Sequence, residues 1–142
     1  MKPRIIIIED DDSCRNFLTL LLEQHGYEVV AFSDPTVCPV YSSVGDPCPH
    51  DDACGDFLLT DNRMPHVSGL DFIAEQSLRG CKGALQNKAV MSGTWSCEER
   101  ELAERLGCRI FEKPLHASDL LEWLERQKTR LNPERKLTQF AG

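Results

Sequence analysis

The chain predicts an α/β fold: one parallel, doubly wound sheet of five strands. Three observations carry this. Strand-like and helix-like runs alternate five times along it, which right-handed crossovers turn into a parallel sheet with helices on both faces. Ile5-Ile6-Ile7-Ile8 is an unbroken β-branched run, as expected of a strand covered on both sides. Three of the runs end in matched chemical groups: Glu9-Asp10 after the first, Asp61 after the third, Lys113-Pro114 after the fifth. Open α/β sheets place their ligand crevices at the carboxyl ends of strands.

After Ile5–Ile8, the residues Phe17, Leu18, Leu21 and Leu22 recur at helical spacing, and Gly26 is a stop. Tyr27 to Phe32 reads as the second strand and Asp56 to Thr60 as the third. A helix follows over Gly69 to Leu78, with Leu70, Ile73 and Ala74 apolar. Lys88 to Met91 is a fourth strand running into Ser92-Gly93-Thr94. Ser96 is a candidate N-cap for the next helix with Glu99 as its capping-box partner; Leu102, Ala103 and Leu106 form one face and Gly107 ends it. Cys108 to Phe111 is the fifth strand, and a last helix begins near Ala117-Ser118 with Leu120, Leu121 and Leu124 inward. Between Ser33 and Gly55 the pattern breaks. Pro35, Pro39, Pro47, Pro49 and Gly45 leave room only for a short helix around Val40 to Val44.

A length of 142 residues suits one domain with a real core. A net charge of −7 argues against a nucleic-acid footprint, and so against direct DNA binding. No run is long enough to span a bilayer, and no leader pattern precedes the first strand, so a cytoplasmic protein is expected. Seven cysteines cannot all pair internally, and a reducing compartment disfavours disulfides. Cys38, Cys48 and Cys54 share the proline-rich segment. The residues after about Arg130, with Arg135 and Lys136, read as a solvated tail or helix extension, too short for an output domain.

Asp61 closes the apolar run Phe57-Leu58-Leu59-Thr60, and Pro65 stiffens the loop beyond it. Three acids and a lysine delivered to one sheet edge describe a divalent-cation site beside a phosphorylatable aspartate. Singly, each group has an ordinary reading: a solvated acidic loop, a turn at Asp61-Asn62, a strand-end cap at Ser92, a surface lysine at Lys113.

In register, the residues resemble the receiver domain of bacterial two-component response regulators, from Arg4 to about Arg130. The matching pieces are Glu9-Asp10 with Arg15 behind them, Asp61 through Gly69 as Asp-x-x-Met-Pro-x-x-x-Gly, Ser92 ending the fourth strand, and Lys113-Pro114 ending the fifth. The resemblance implies a flavodoxin-like receiver fold over residues 1–130, of the stand-alone, chemotaxis-regulator kind, with residues 131–142 a tail. It implies Asp61 as phosphoacceptor, Lys113 pairing with it, and Ser92 turning toward the phosphoryl group. Mg²⁺ would be held by Glu9, Asp10, Asp61 and the backbone carbonyl of Arg63. Arg63 and Thr94 occupy positions that tune phosphoryl lifetime, while Asp11 and Asp12 are bystanders. Partners implied are a sensor histidine kinase or phosphotransfer protein and a downstream protein target, engaged through the fourth and fifth helices and fifth strand; a homodimer is left open. Such a domain is no enzyme in the usual sense but promotes its own phosphorylation and dephosphorylation.

Two departures stand out. Ile110 lies where the family commonly has Tyr or Phe, and Phe111, one residue on, should point to the opposite face. The proline- and cysteine-rich segment replaces the usual second helix. Two other functions compete. An aspartate-nucleophile phosphatase of the haloacid-dehalogenase type places an Asp two residues after the nucleophile, where this chain has Arg63. A metal- or redox-binding module could use Cys38, Cys48, His50 and Cys54, although their spacing is not a Cys-x-x-Cys knuckle. Plain packing with reduced thiols is the favoured reading of that loop.

Overall fold

Five short strands lie side by side, all parallel, in the order β2-β1-β3-β4-β5. They are β1 (Arg4–Ile8), β2 (Glu28–Phe32), β3 (Phe57–Asp61), β4 (Lys88–Ser92) and β5 (Arg109–Glu112). The computed structural model describes residues 1–42 and 45–139. Strand order reverses between β1 and β3, so the crevice expected of a doubly wound sheet opens at their carboxyl ends. Glu9 directly follows β1, and Asp61 is the last residue of β3.

Alternation along the strands divides the core in two. Ile5, Ile7, Phe57, Leu59, Met91 and Phe111 face one side, under Leu18 and Leu22 of α1 (Asp12–Gln24) and Leu120, Trp123 and Leu124 of α5 (Ala117–Lys128). Ile8, Leu58 and Val90 face the other, under α3 (Gly69–Leu78) and α4 (Cys97–Leu106). Trp123 sets its ring edge-to-face with Phe57 and Phe111, each centroid 5.8 Å away.

Helix ends follow the local signals. Ser96 and Glu99 form the full capping box of α4, and Gly107 ends that helix in the left-handed conformation at φ 83°. Asp11, a bystander in sequence, caps α1 by accepting the Cys14 N–H. Strand limits differ from expectation by a residue: β3 starts at Phe57, which places Asp61 inside the strand and Asp56 before it.

In the proline-rich segment a 3₁₀ turn spans Pro35–Val37, and α2 (Pro39–Ser42) is a single helical turn. The expected short helix at 40–44 thus begins a residue earlier, and Ser43 and Val44 lie outside the described residues. Prolines remove the donors a longer helix needs. Among the described residues the sheet carries four full-length α-helices and this single α-helical turn.

The segment after α5 is not the solvated tail expected, although Arg130 and Lys136 are exposed. Arg135 forms an ion pair with the buried Asp56, whose carboxylate also accepts the Arg4 N–H at 2.8 Å. Leu137 bridges Ala53 in parallel, and the Thr138 N–H donates to the Ala53 carbonyl at 2.8 Å. A buried carboxylate needs a cation, and Arg135 supplies it from across the fold. Residues 140–142 lie outside the described residues. No helix of the described residues is long and apolar enough to cross a membrane.

Candidate functional site

The carboxyl ends of β1, β3 and β5 bring Glu9, Asp10, Asp61 and Lys113 together. One carboxylate oxygen from each acid lies within 4.8 Å of the others. Glu9 is 1% exposed and Asp61 5%, while Asp10 is exposed. Lys113 reaches in from the end of β5, its Nζ 2.9 Å from Glu9 Oε2 and 3.4 Å from Asp61 Oδ2. The expected Lys113–Asp61 pair is therefore present, but the lysine's shorter contact is to Glu9. Burial pulls the Lys113 ammonium toward deprotonation, yet the Glu9 hydrogen bond and the Asp61 and Glu9 charges outweigh it and raise its pKa above the ordinary value.

Backbone groups hold the two buried acids in place. Asp61 Oδ1 accepts the Arg63 N–H at 3.3 Å, and Glu9 Oε1 accepts the Asp11 N–H at 3.1 Å. Arg15 donates to the Glu9 carbonyl at 2.8 Å, and the Lys113 N–H donates to the Ser92 carbonyl at 2.9 Å. The peptide between Lys113 and Pro114 is cis. Gly69 shows why the loop after Asp61 needs glycine there: a Cβ would stand 2.6 Å from the Asp61 carbonyl oxygen.

Ser92 is buried, donates its hydroxyl to the Thr94 carbonyl at 2.9 Å and accepts the Thr94 N–H at 3.3 Å. Arg63 and Thr94, both placed by the resemblance at modulating positions, touch: Arg63 Nη2 donates to Thr94 Oγ1 at 2.7 Å. Ile110 packs with the α3–α4 side of the core, whereas Phe111 is buried on the α1–α5 side, as alternation requires.

Sequence reasoning missed two neighbours. Asn62 is buried, donates to Glu99 Oε2 at 2.7 Å and accepts the Leu70 N–H, tying the loop after Asp61 to the starts of α3 and α4. Cys14 lies under the acids; burial, then the Glu9 carboxylate, pushes its thiol up to about 11. Neither has a sequence signal, since both depend on contacts between elements.

Two buried carboxylates and one exposed one, facing one ammonium, form a hard oxygen donor set with an excess of negative charge. That fits Mg²⁺, which takes a few carboxylates along with carbonyls and water. Such an acidic cluster is typical of the Mg²⁺ site of receivers.

No protein-family model matches the chain. It is 32% identical over 135 residues to the transcriptional regulatory protein FlgR of Helicobacter pylori, covering 94% of this chain and 32% of that protein. With the transcriptional regulatory protein FixJ of Azorhizobium caulinodans it shares 35% identity over 109 residues, 76% of this chain and 46% of the relative. The chain thus spans 32% and 46% of the length of these two curated relatives. A response regulator receiver protein from Pseudomonas putida superposes with a TM-score of 0.71 at 26% identity, covering 89% of this chain and 98% of that one. Strand order, acidic trio and relatives agree: the chain is a response regulator receiver domain of two-component signalling. Receivers are typically signalling modules rather than enzymes and have histidine kinases as partners.

Proposed function

We propose that Asp61 accepts a phosphoryl group from a phosphohistidine of a sensor kinase or phosphotransfer protein, and that the switch this sets is read by a downstream protein. The observation that supports it best is the convergence of Asp61 with Glu9, Asp10 and Lys113 at the switch point of the sheet. A carboxylate oxygen of Asp61 attacks phosphorus, the P–N bond breaks, and the imidazole leaves with its electron pair. Such transfer is mostly positioning and charge neutralisation. Mg²⁺, held by Glu9, Asp10, Asp61 and the Arg63 carbonyl, would neutralise charge on the phosphoryl oxygens. Lys113, already raised and charged, supplies the protein's own cation to the same oxygens.

Ser92 is poised to act as the sensor. Its hydroxyl is spent on the Thr94 carbonyl, so turning it to a phosphoryl oxygen would free that loop and bias a two-state element. Arg63 and Thr94, bonded to each other over the site, would set how readily water reaches the acyl phosphate. The face of α4, β5 and α5 is the expected contact for the target, in a cytoplasmic setting. The phosphatase reading loses support at Arg63, which stands where that chemistry needs an acid and is engaged with Thr94.

Acetyl phosphate with Mg²⁺ tests this. One added phosphoryl group by intact mass is expected, and none in Asp61→Asn. Undiminished labelling of Asp61→Asn would sink the assignment.

A further inference from the structure

Four of the seven cysteines line one cavity. It measures about 80 Å³ and lies between the β1–β3 surface, the proline-rich segment and the connection from α3 to β4. Cys38, Cys48, His50 and Cys54 come from the first segment and Cys81 from the second. All seven thiols are unbridged. The spacing of Cys38, Cys48 and Cys54 hinted at a loop cluster; Cys81 enters it only through the fold.

Polar contacts connect the walls. Lys88, on β4, is 4% exposed, and its Nζ lies 2.8 Å from Gln76 Oε1 and 3.2 Å from Cys81 Sγ. Gln76 Nε2 in turn donates to Cys38 Sγ at 3.7 Å. Across the cavity, His50 Nδ1 is 3.1 Å from Cys54 Sγ, and Cys54 lies within electrostatic reach of Cys38, Cys81 and Cys48. Among the described residues Lys88 has no carboxylate partner; its contacts are a neutral amide and a thiol. A buried ammonium is costly unless an anion accompanies it.

We propose that Cys38, Cys48, Cys54 and Cys81 form a structural Zn²⁺ site, with Lys88 and His50 hydrogen-bonding to its sulfurs. Zinc takes four thiolates in closed, tetrahedral structural sites. On binding, each S–H proton is released to solvent and each sulfur donates an electron pair to the metal; nothing is oxidised or reduced. Four thiolates around a divalent ion leave a net negative charge, and the Lys88 ammonium is placed to offset it. The sulfurs stand around the cavity rather than in contact, for among the described residues only the acidic trio brings three such ligand atoms within 4.8 Å. Binding has to draw them inward. It would also order a segment whose prolines deny it a helical hydrogen-bond ladder.

The whole protein, purified without chelator and kept in excess Mg²⁺ to fill the acidic site, provides the test. One Zn²⁺ per chain is expected by elemental analysis. Co²⁺ should replace it with the sulfur-to-cobalt charge-transfer band of a tetrahedral thiolate site. Cys54→Ser and Cys81→Ser should lose that band while Cys97→Ser, outside the cavity, keeps it. Lys88→Met should weaken Co²⁺ binding roughly 10–100-fold, as loss of an outer hydrogen bond to a ligand does. Wild-type protein with sub-stoichiometric zinc after zinc incubation and desalting overturns the proposal. So does a cobalt spectrum lacking the thiolate band, or fewer than seven free thiols in the unreduced protein once denatured with chelator present, which would mean a disulfide. Acetyl phosphate labelling of each variant shows whether it folds. Should the serine variants unfold, the wild-type cobalt spectrum decides alone, because the band arises only from bound thiolate.

Discussion

At the scale of single residues, the site is governed by how few cations face its acids. Glu9 is almost wholly buried, with Lys113 at 2.9 Å as its counterion. Lys113→Ala should therefore destabilise the metal-free protein by about 3 kcal/mol, the usual cost of breaking a buried pair from one side. Mg²⁺ should recover much of that. Binding to the native state raises stability by RT ln(1 + [L]/Kd), about 2.7 kcal/mol at a hundredfold excess over Kd. The Tm gain on adding millimolar Mg²⁺ is expected to be larger in Lys113→Ala than in wild type; an equal or smaller gain contradicts the role given to Glu9. Gly69 carries a different constraint. Its missing side chain leaves room for the Asp61 carbonyl, so Gly69→Ala should cost roughly 1–3 kcal/mol through overpacking. Urea unfolding measures that, and acetyl phosphate labelling should slow as Asp61 is displaced.

Among the elements, α4 shows how a local signal becomes a link to the site. Glu99 accepts the Ser96 N–H in the capping box and also the Asn62 amide beside Asp61. The Ser96 N–H does most to hold the Glu99 carboxyl below the usual carboxylate range; burial opposes it, and the Ser96 side chain, Asn62 and Arg63 add smaller pulls in the same direction. A lowered pKa contributes stability that is present above the unfolded-state value and lost as pH falls through the folded one. Glu99→Ala should thus cost about 1 kcal/mol near neutrality, as loss of a capping contact does. The difference from wild type should shrink in acid, in denaturation curves taken across that range. A difference independent of pH would mean that packing, not the carboxylate's charge, holds the cap. The capping box was legible because all its parts lie within four residues. The bond to Asn62 was not, since it joins residues 37 apart.

For the whole molecule, the chain after α5 closes on the loop before β3. Arg135 meets Asp56 across 79 residues, and Arg4 Nη1 donates to the Thr138 carbonyl at 2.6 Å. Arg135→Ala removes the ion pair of the buried Asp56, at a cost of about 3 kcal/mol. Arg135→Lys should recover only part, because a single ammonium lacks the guanidinium's two-pronged fit. Limited proteolysis should cut after α5 sooner in Arg135→Ala; unchanged stability and cleavage would show that the segment is held by Leu137 and Thr138 instead.

The sequence alone determined the order of strands and helices, the groups at the ends of β1, β3, β4 and β5, and the loss of a regular second helix. Each of these is written locally: period two or 3.6, a proline, a cap, the residue just past an apolar run. Once the run is a strand and the sheet parallel, Glu9, Asp61 and Lys113 must emerge at one edge, so their meeting follows from topology. Tertiary structure alone decided which partner each buried polar group received. Lys113 leans on Glu9 more closely than on Asp61, and Lys88 sits under Cys81 and Gln76. Arg135, expected in solvent, pairs with Asp56. No periodicity encodes such choices, because a charge left in the core takes whatever counter-group the packing of distant segments brings within about 3 Å, and the desolvation cost makes that pairing obligatory.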